Sequence, residues 1–188
     1  MPISYILLST TNILANSKTV FNTAAFHWRR CSYLPSRLEE GSVDQKFITN
    51  STEETFSKGR QFAQSLLAGD VVALSGELGS GKTLFTQGIA VGLGVEDIVN
   101  SPTFKLIGEY DSTPLLYHFD FYRLESAEEA VALGIDYYFM GEGICVVEWA
   151  DLFPQLMPDD AITVSIAAIG ENKREFFVER RQAETAGG

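Results

Sequence analysis

From about residue 44 onward, apolar side chains follow patterns that alternate between the spacing of strands and that of helices. Residues 71–74 form a continuous apolar run, which is typical of a short strand buried on both faces. Residues 82–93 then carry apolar side chains at helical spacing, at Leu84, Phe85, Ile89 and Leu93. The pattern therefore predicts a strand, a turn and a helix in direct succession.

Further strands are predicted on either side of this unit. The candidates are an edge strand at 47–49, strands at 104–110, 115–121 and 144–147, and a hairpin of 161–169 with 175–179. Because helical segments separate several of these strands, we expect an α/β sheet that binds its ligands at the carboxyl ends of the strands.

Two more helices should begin at capping boxes, in which a serine and a glutamate bond the free N–H groups of the first turn. The first begins at Ser51 and should continue to a stop at Gly69. Its inner face is predicted to carry Phe56, Phe62, Leu66 and Leu67. The second runs from Ser126 to Leu133.

The turn at residues 76–83 reads Gly-Glu-Leu-Gly-Ser-Gly-Lys-Thr, which is a complete phosphate-binding loop. Its glycines let successive N–H groups point at phosphate oxygens, and the helix that follows adds its positive dipole end. Lys82 can reach the β- and γ-phosphates, and the Thr83 hydroxyl can ligate Mg²⁺. We expect ATP or GTP binding by a P-loop NTPase-like three-layer sandwich. Its central sheet should be mostly parallel, with a short antiparallel portion.

Acidic residues end two of the predicted strands. Asp120 closes the strand that begins near residue 115, and Glu148 follows the apolar run 144–147. Each acid alone is weak evidence for a catalytic site, but the two together, behind a phosphate loop, predict a catalytic site at the sheet edge where these strands end. One acid should hold the Mg²⁺ shell while the other positions the attacking water.

Other polar residues have two interpretations each. Ser101-Pro102-Thr103 follows the loop helix, where it is either a switch that presents its hydroxyls to the γ-phosphate or a polar turn into a strand. Arg123 could neutralise phosphate charge or pair with Glu148. Trp149 would either pack in the core or contact the nucleotide or a partner.

Charge is distributed unevenly along the 188 residues. Residues 1–38 contain four basic residues and no acidic ones, whereas the other 150 hold 10 basic and 25 acidic residues, a net charge of −15. Such a domain repels a phosphate backbone, so we do not expect tight nucleic-acid binding by the domain alone, and a cationic protein partner suits the charge better.

The composition also predicts domain boundaries and a compartment. Residues 1–43 should be a disordered extension or a transit peptide, 44–182 the P-loop ATPase domain, and 183–188 a flexible tail. Cys31 and Cys145 lie in unlike contexts, which favours separate thiols in a reducing compartment, the cytoplasm. No apolar stretch approaches the roughly 20 residues that span a bilayer.

A small-molecule kinase is one rival function. Such kinases close an arginine-rich lid over the phosphate, but between Lys82 and Lys173 the basic residues are Lys105 and Arg123 alone. This scarcity favours a slow hydrolase or nucleotide switch. A non-catalytic, nucleotide-gated binding module remains the other alternative.

The domain resembles the TsaE (YjeE) family, the ATPases of tRNA threonylcarbamoyladenosine synthesis, from about residue 47 to 179. The resemblance is carried by the phosphate loop, Ser-Pro-Thr-Phe at 101–104, Tyr-His-Phe-Asp-Phe-Tyr-Arg-Leu at 117–124, Gly-Ile-Asp-Tyr-Tyr-Phe at 134–139 and Ile-Cys-Val-Val-Glu-Trp at 144–149. Phe104 and Phe121 replace the Tyr and Leu that are frequent in the family. Residues 1–43 have no counterpart in the family pattern.

The resemblance implies ATP and Mg²⁺ as cofactors. It implies that Thr83 and Glu148 are metal ligands, that Asp120 is needed for hydrolysis, and that residues 101–103 (Ser101, Pro102 and Thr103) form a switch. Nucleotide-binding residues would be Gly79, Ser80, Gly81, Lys82, Thr83, Leu84 and Arg174. The implied partner is a TsaD–TsaB-type heterodimer, which transfers a threonylcarbamoyl group to an adenosine of tRNA and which the ATP cycle would reset between turnovers.

Overall fold

The computed structural model describes residues 45–103 and 105–180. The predicted extension at 1–43 and tail at 183–188 lie outside the described residues, as does Phe104. The elements are β1 (Gln45–Thr49), α1 (Thr52–Ala63), β2 (Val71–Ser75), α2 (Lys82–Gly92), β3 (Ile107–Tyr110), β4 (Leu116–Asp120), α3 (Ala127–Ala132), α4 (Ile135–Phe139), β5 (Ile144–Glu148), β6 (Ile162–Ala168) and β7 (Arg174–Arg180). Two short 3₁₀ helices, Ala150–Leu152 and Pro154–Leu156, connect β5 to β6.

The seven described strands form one sheet in the order β1-β7-β6-β2-β5-β4-β3. Its four central strands, β6, β2, β5 and β4, are parallel, while β1, β7 and β3 join through antiparallel pairs. The predicted α/β class, the P-loop NTPase-like fold and the hairpin of β6 with β7 are confirmed. Antiparallel pairs extend both edges of the sheet.

Helices cover both faces of the sheet, so the core has two parts. Side chains of β2 alternate between them: Val72 and Leu74 pack with α1 and α2, whereas Val71 and Ala73 pack with α3 and α4. This two-sided burial explains why the strand reads as a continuous apolar run. None of the helices in the described ranges is long and apolar enough to cross a membrane.

Helix α1 ends earlier than predicted, although Phe62 and Leu66 of its predicted inner face do pack against the core. It stops at Ala63 instead of continuing to Gly69, and Leu67 is 42% exposed. Glycines let α1 and α2 approach closely: a Cβ at Gly88 would lie 2.2 Å from the Phe56 carbonyl oxygen. Hydrophobic periodicity does not detect this glycine contact, but it does predict Phe62, whose ring packs on Phe85 of α2.

In each predicted capping box the serine contact is confirmed, but the glutamate contact is made one residue earlier in the chain. The Ser51 hydroxyl accepts from the Glu54 N–H at 3.1 Å, and Ser126 accepts from Glu129 at 3.4 Å. In the first box the Glu54 carboxylate accepts from the Asn50 N–H at 2.7 Å, one residue before the Ser51 cap and not from the cap itself. The carboxylate therefore ties down the chain that enters the helix, and the second box does the same.

Strand β3 is shorter than the predicted 104–110. The N–H groups of Lys105 and Leu106 both donate to the Pro102 carbonyl, at 2.8 and 2.6 Å, and Leu106 has φ +64°. This turn occupies the start of the predicted strand, which therefore begins at Ile107. Helix α4 was not predicted, because five residues are too few for a helical period.

Candidate functional site

The loop between β2 and α2 has the backbone that a phosphate cradle requires. Gly76 has φ +141° and Gly81 has φ +104°, conformations that side chains disfavour. A Cβ at Gly76 would also lie 2.3 Å from the Ile166 carbonyl oxygen. Gly81 caps α2 without a side-chain hydrogen bond, so the first N–H groups of the helix are open to an anion.

The ammonium of Lys82 lies inside this loop. Only 4% of the residue is exposed, and Nζ donates to the carbonyls of Gly76 at 2.7 Å and Glu77 at 3.0 Å. The Trp149 ring covers it, with the ring centroid 3.7 Å from Nζ. Burial lowers the pKa of Lys82, and the charge of Glu148 is the strongest influence that opposes this shift. The ammonium is held among acceptors that a phosphate oxygen can replace.

Strands β4 and β5 bring the two predicted acids together, since Asp120 is the register partner of Glu148. Glu148 is 2% exposed, and its Oε2 accepts from the Thr83 hydroxyl at 2.9 Å. Its Oε1 lies 2.8 Å from Nε2 of His118, which is fully buried. The carboxylate therefore joins the phosphate loop to the interior of β4.

Sequence reasoning missed His118. The available signal was its position two residues before Asp120, because residues at i and i+2 of a strand share one face. A polar residue on that face of a buried strand requires a partner, and the neighbouring strand supplies Glu148.

The predicted switch residues contact Asp120. Oδ2 of Asp120 accepts from the hydroxyls of Ser101 and, at 2.6 Å, Thr103. Its Oδ1 accepts from the Tyr122 N–H at 3.0 Å. Three donors thus hold a carboxylate that is 2% exposed. Pro102, between these two residues in the sequence, is buried. The contact of the two hydroxyls with a γ-phosphate stays a prediction.

Arg174 supports the phosphate loop from β7. Its Nε donates to the Ser80 carbonyl at 3.0 Å and Nη2 to that of Gly79 at 3.3 Å. Nη1 donates to three carbonyls of the β6–β7 turn. The guanidinium therefore fixes the outer side of the loop, and its direct contact with nucleotide stays a prediction.

A pocket of about 450 Å³ lies between the loop and the strand ends. All the predicted site residues line it except Ser80, Pro102 and Arg174. Tyr122 and Trp149 stand at its edge with ring centroids 4.9 Å apart. A larger cavity of about 720 Å³ lies beside Leu115 and Gly143, at the amino ends of β4 and β5. The smaller pocket is the better candidate, because the convergent polar groups lie there.

The donor set fits magnesium. Mg²⁺ takes oxygen ligands, with one or two protein groups completed by phosphate and water oxygens. Thr83 supplies a hydroxyl and Glu148 a carboxylate within hydrogen-bond distance of each other.

Comparisons with known proteins agree on one family. The family model of "Threonylcarbamoyl adenosine biosynthesis protein TsaE" matches residues 49–176. A tRNA threonylcarbamoyladenosine biosynthesis protein TsaE from Bacillus subtilis is 46% identical over 132 residues, which cover 70% of this chain and 82% of that protein. The protein of the same name from Treponema pallidum is 36% identical over 131 residues, covering 70% and 97%.

A solved structure gives the same result. The crystal structure of Bacillus subtilis YdiB superposes with a TM-score of 0.64 at 37% identity, covering 75% of this chain and 88% of that one. The family match spans the whole phosphate loop and both strand-end acids. The chain belongs to the TsaE family.

Proposed function

We propose that this protein binds ATP with Mg²⁺ and hydrolyses it slowly, in support of tRNA threonylcarbamoyladenosine modification. The observation that carries the proposal is the joining of Glu148 to Thr83 at the mouth of a phosphate loop, with Asp120 beside it. The names of the relatives support the tRNA-modification role.

Nucleotide binding would exchange one set of acceptors for another. Lys82 would leave the carbonyls of Gly76 and Glu77 for phosphate oxygens, and the N–H groups at the start of α2 would donate to them as well. Because Trp149 covers the ammonium, its ring would have to move or become part of the pocket wall.

Thr83 and Glu148 are the residues that would hold the magnesium ion. When bound, the ion would neutralise charge on the β- and γ-phosphate oxygens. Glu148 would present an oxygen from a buried, hydrogen-bonded position, so little reorganisation is required of it.

Asp120 would position the attacking water. In this structure its Oδ2 accepts hydrogen bonds from Ser101 and Thr103. If the γ-phosphate attracts those hydroxyls, that oxygen becomes free to accept a hydrogen bond from water. This coupling would make residues 101–103 the switch, and hydrolysis would return the hydroxyls to Asp120.

The proposed partner is a TsaD–TsaB-type heterodimer, which the ATP cycle would reset between turnovers. Residues 45–180 carry 9 basic and 21 acidic side chains, so this part of the chain does not favour direct binding to tRNA. Contact with tRNA would therefore pass through the complex. The cytoplasmic location stays a prediction.

Phosphate release, measured with and without the heterodimer and tRNA, tests the proposal. We expect slow release alone, strong stimulation by the partners, and its loss in Glu148→Gln. A phosphorylated small molecule in place of free phosphate would select the kinase alternative. Nucleotide binding without turnover, even with both partners and tRNA, would select the binding-module alternative.

A further inference from the structure

Glu148 is a buried carboxylate whose two oxygens have separate protein partners. Oε2 faces the pocket and accepts from Thr83, whereas Oε1 points into the fold toward His118. Residue exposures are 2% for Glu148 and 0% for His118. A buried carboxylate needs such partners, because burial without hydrogen bonds is costly.

The ionised form of Glu148 decides which partner donates. Nε2 of His118 lies 2.8 Å from Oε1, and an ionised carboxylate can only accept a hydrogen bond. With Glu148 ionised, as a metal ligand requires, Nε2 is therefore assigned the proton. Nδ1 is buried and has no hydrogen-bond partner within the described ranges, so the contact to Glu148 is the one that orients the ring.

The surroundings of His118 do not call for a polar ring. Its strand neighbour Leu116 and the opposite residue Val146 both belong to the apolar core beneath α1 and α2. A leucine would suit that environment for packing alone. The specific feature of histidine here is a donor held at a fixed point behind Glu148.

We propose that His118 is a positioning residue for the divalent cation, an inference that rests on the proposed function. By holding Oε1, it fixes the carboxylate plane of Glu148 and leaves Oε2 directed at the pocket and at Thr83. Partners that orient metal ligands typically alter metal affinity by about ten- to a hundredfold when they are removed. His118 would therefore set cation affinity without contacting the nucleotide.

The test compares His118→Leu with His118→Gln in the full chain, using Mn²⁺ as the probe and a non-hydrolysable ATP analogue. The glutamine amide can place an N–H near the position of Nε2, whereas leucine cannot donate. Free Mn²⁺ is measured by electron paramagnetic resonance, and nucleotide affinity is measured separately in EDTA. We expect His118→Leu to weaken Mn²⁺ binding about ten- to a hundredfold. Its affinity for cation-free nucleotide should stay within about twofold of the native protein, and His118→Gln should recover most of the loss.

Val146→Ala is the matched control, because it opens a cavity opposite His118 and leaves the donor in place. It should lower thermal stability but not Mn²⁺ affinity. If His118→Leu fails to fold, His118→Asn replaces it, since the shorter amide does not reach Glu148. Equal Mn²⁺ binding by the native protein and the donor-free variant would overturn the inference. So would parallel losses of Mn²⁺ and cation-free nucleotide binding, which indicate a packing role. A native protein that binds neither probe would instead refute the proposed function.

Discussion

Replacement of Lys82 by methionine should weaken ATP binding while leaving the fold intact. Lys82 places its ammonium between the carbonyls of Gly76 and Glu77, so the charge is already at the centre of the phosphate loop. Methionine keeps the length and apolar body of the side chain and removes the charge. Burial lowers the pKa of Lys82, so holding the charge there costs the free protein stability, and this cost offsets the two hydrogen bonds that Lys82→Met loses. We therefore expect only a small net change in the free energy of unfolding.

The magnitude follows from an exchange of hydrogen bonds. The ammonium gives up two neutral carbonyl acceptors and gains charged phosphate oxygens, so the full Coulomb attraction, about 4 kcal/mol for unit charges at 4 Å near a protein surface, is an upper bound. Hydrogen bonds to charged groups contribute about 1.5–3 kcal/mol. We therefore expect affinity for ATP to fall roughly ten- to a hundredfold.

Isothermal titration calorimetry with a non-hydrolysable ATP analogue measures this loss. Lys46→Met is the matched control, because Lys46 lies on β1 with a side chain that is 61% exposed and pairs with Glu175, away from the loop. It should leave affinity unchanged. If Lys82→Met binds the analogue within about twofold of the native protein, the reasoning that places the phosphates in this loop is wrong.

Three further predictions concern stability. The pKa of Lys82 in the fold lies below its ordinary value of 10.5, so the unfolded chain binds more protons between those two pH values. The free energy of unfolding of the native protein should therefore rise as pH rises through that window. Denaturant titrations at several pH values should show that Lys82→Met lacks this rise. Thr103→Val removes a hydrogen-bond donor from buried Asp120 and should lower the free energy of unfolding by about 1.5–3 kcal/mol in the same assay. Thr103→Ser keeps the hydroxyl and should lower it much less. Equal losses in the two variants would contradict this contact. Gly88→Ala forces a methyl group against the backbone of α1 and should lower the free energy of unfolding by about 1–3 kcal/mol or more. Val91→Ala, on the exposed face of α2, should lower it only slightly. If Gly88→Ala is tolerated, the two helices can separate freely.

The candidate pocket could be predicted in outline because its parts are local in sequence. The loop at 76–83 combines a fixed motif with a strand before it and a helix after it, and the structure places all three as expected. Asp120 and Glu148 follow apolar runs, and parallel strands bring such ends to one edge. Short-range patterns were therefore sufficient to assemble the acids beside the loop.

Contacts between distant segments could not be predicted in the same way. The Trp149 ring lies over Lys82 because Trp149 itself has φ +60°, directly after β5. The spacing of apolar residues gives no sign of such a backbone conformation. The use of Ser101 and Thr103 to hold Asp120 depends on a turn that replaces the start of the predicted strand β3. These contacts arise from tertiary packing, so the sequence pattern identified the residues and not their partners.

The site is also tighter than its motifs alone suggest. Glu148 is bonded at both oxygens, and Arg174 holds the carbonyls of Gly79 and Ser80 from outside the loop. Such preorganisation reduces the rearrangement that binding requires.

The most direct measurement is a crystal structure of this chain with Mg²⁺ and a non-hydrolysable ATP analogue. The account predicts terminal phosphates against the N–H groups at the start of α2, Lys82 turned toward them, and the cation on the oxygens of Thr83 and Glu148. A nucleotide bound elsewhere would contradict it. So would a cation that leaves the hydrogen bond between Thr83 and Glu148 undisturbed.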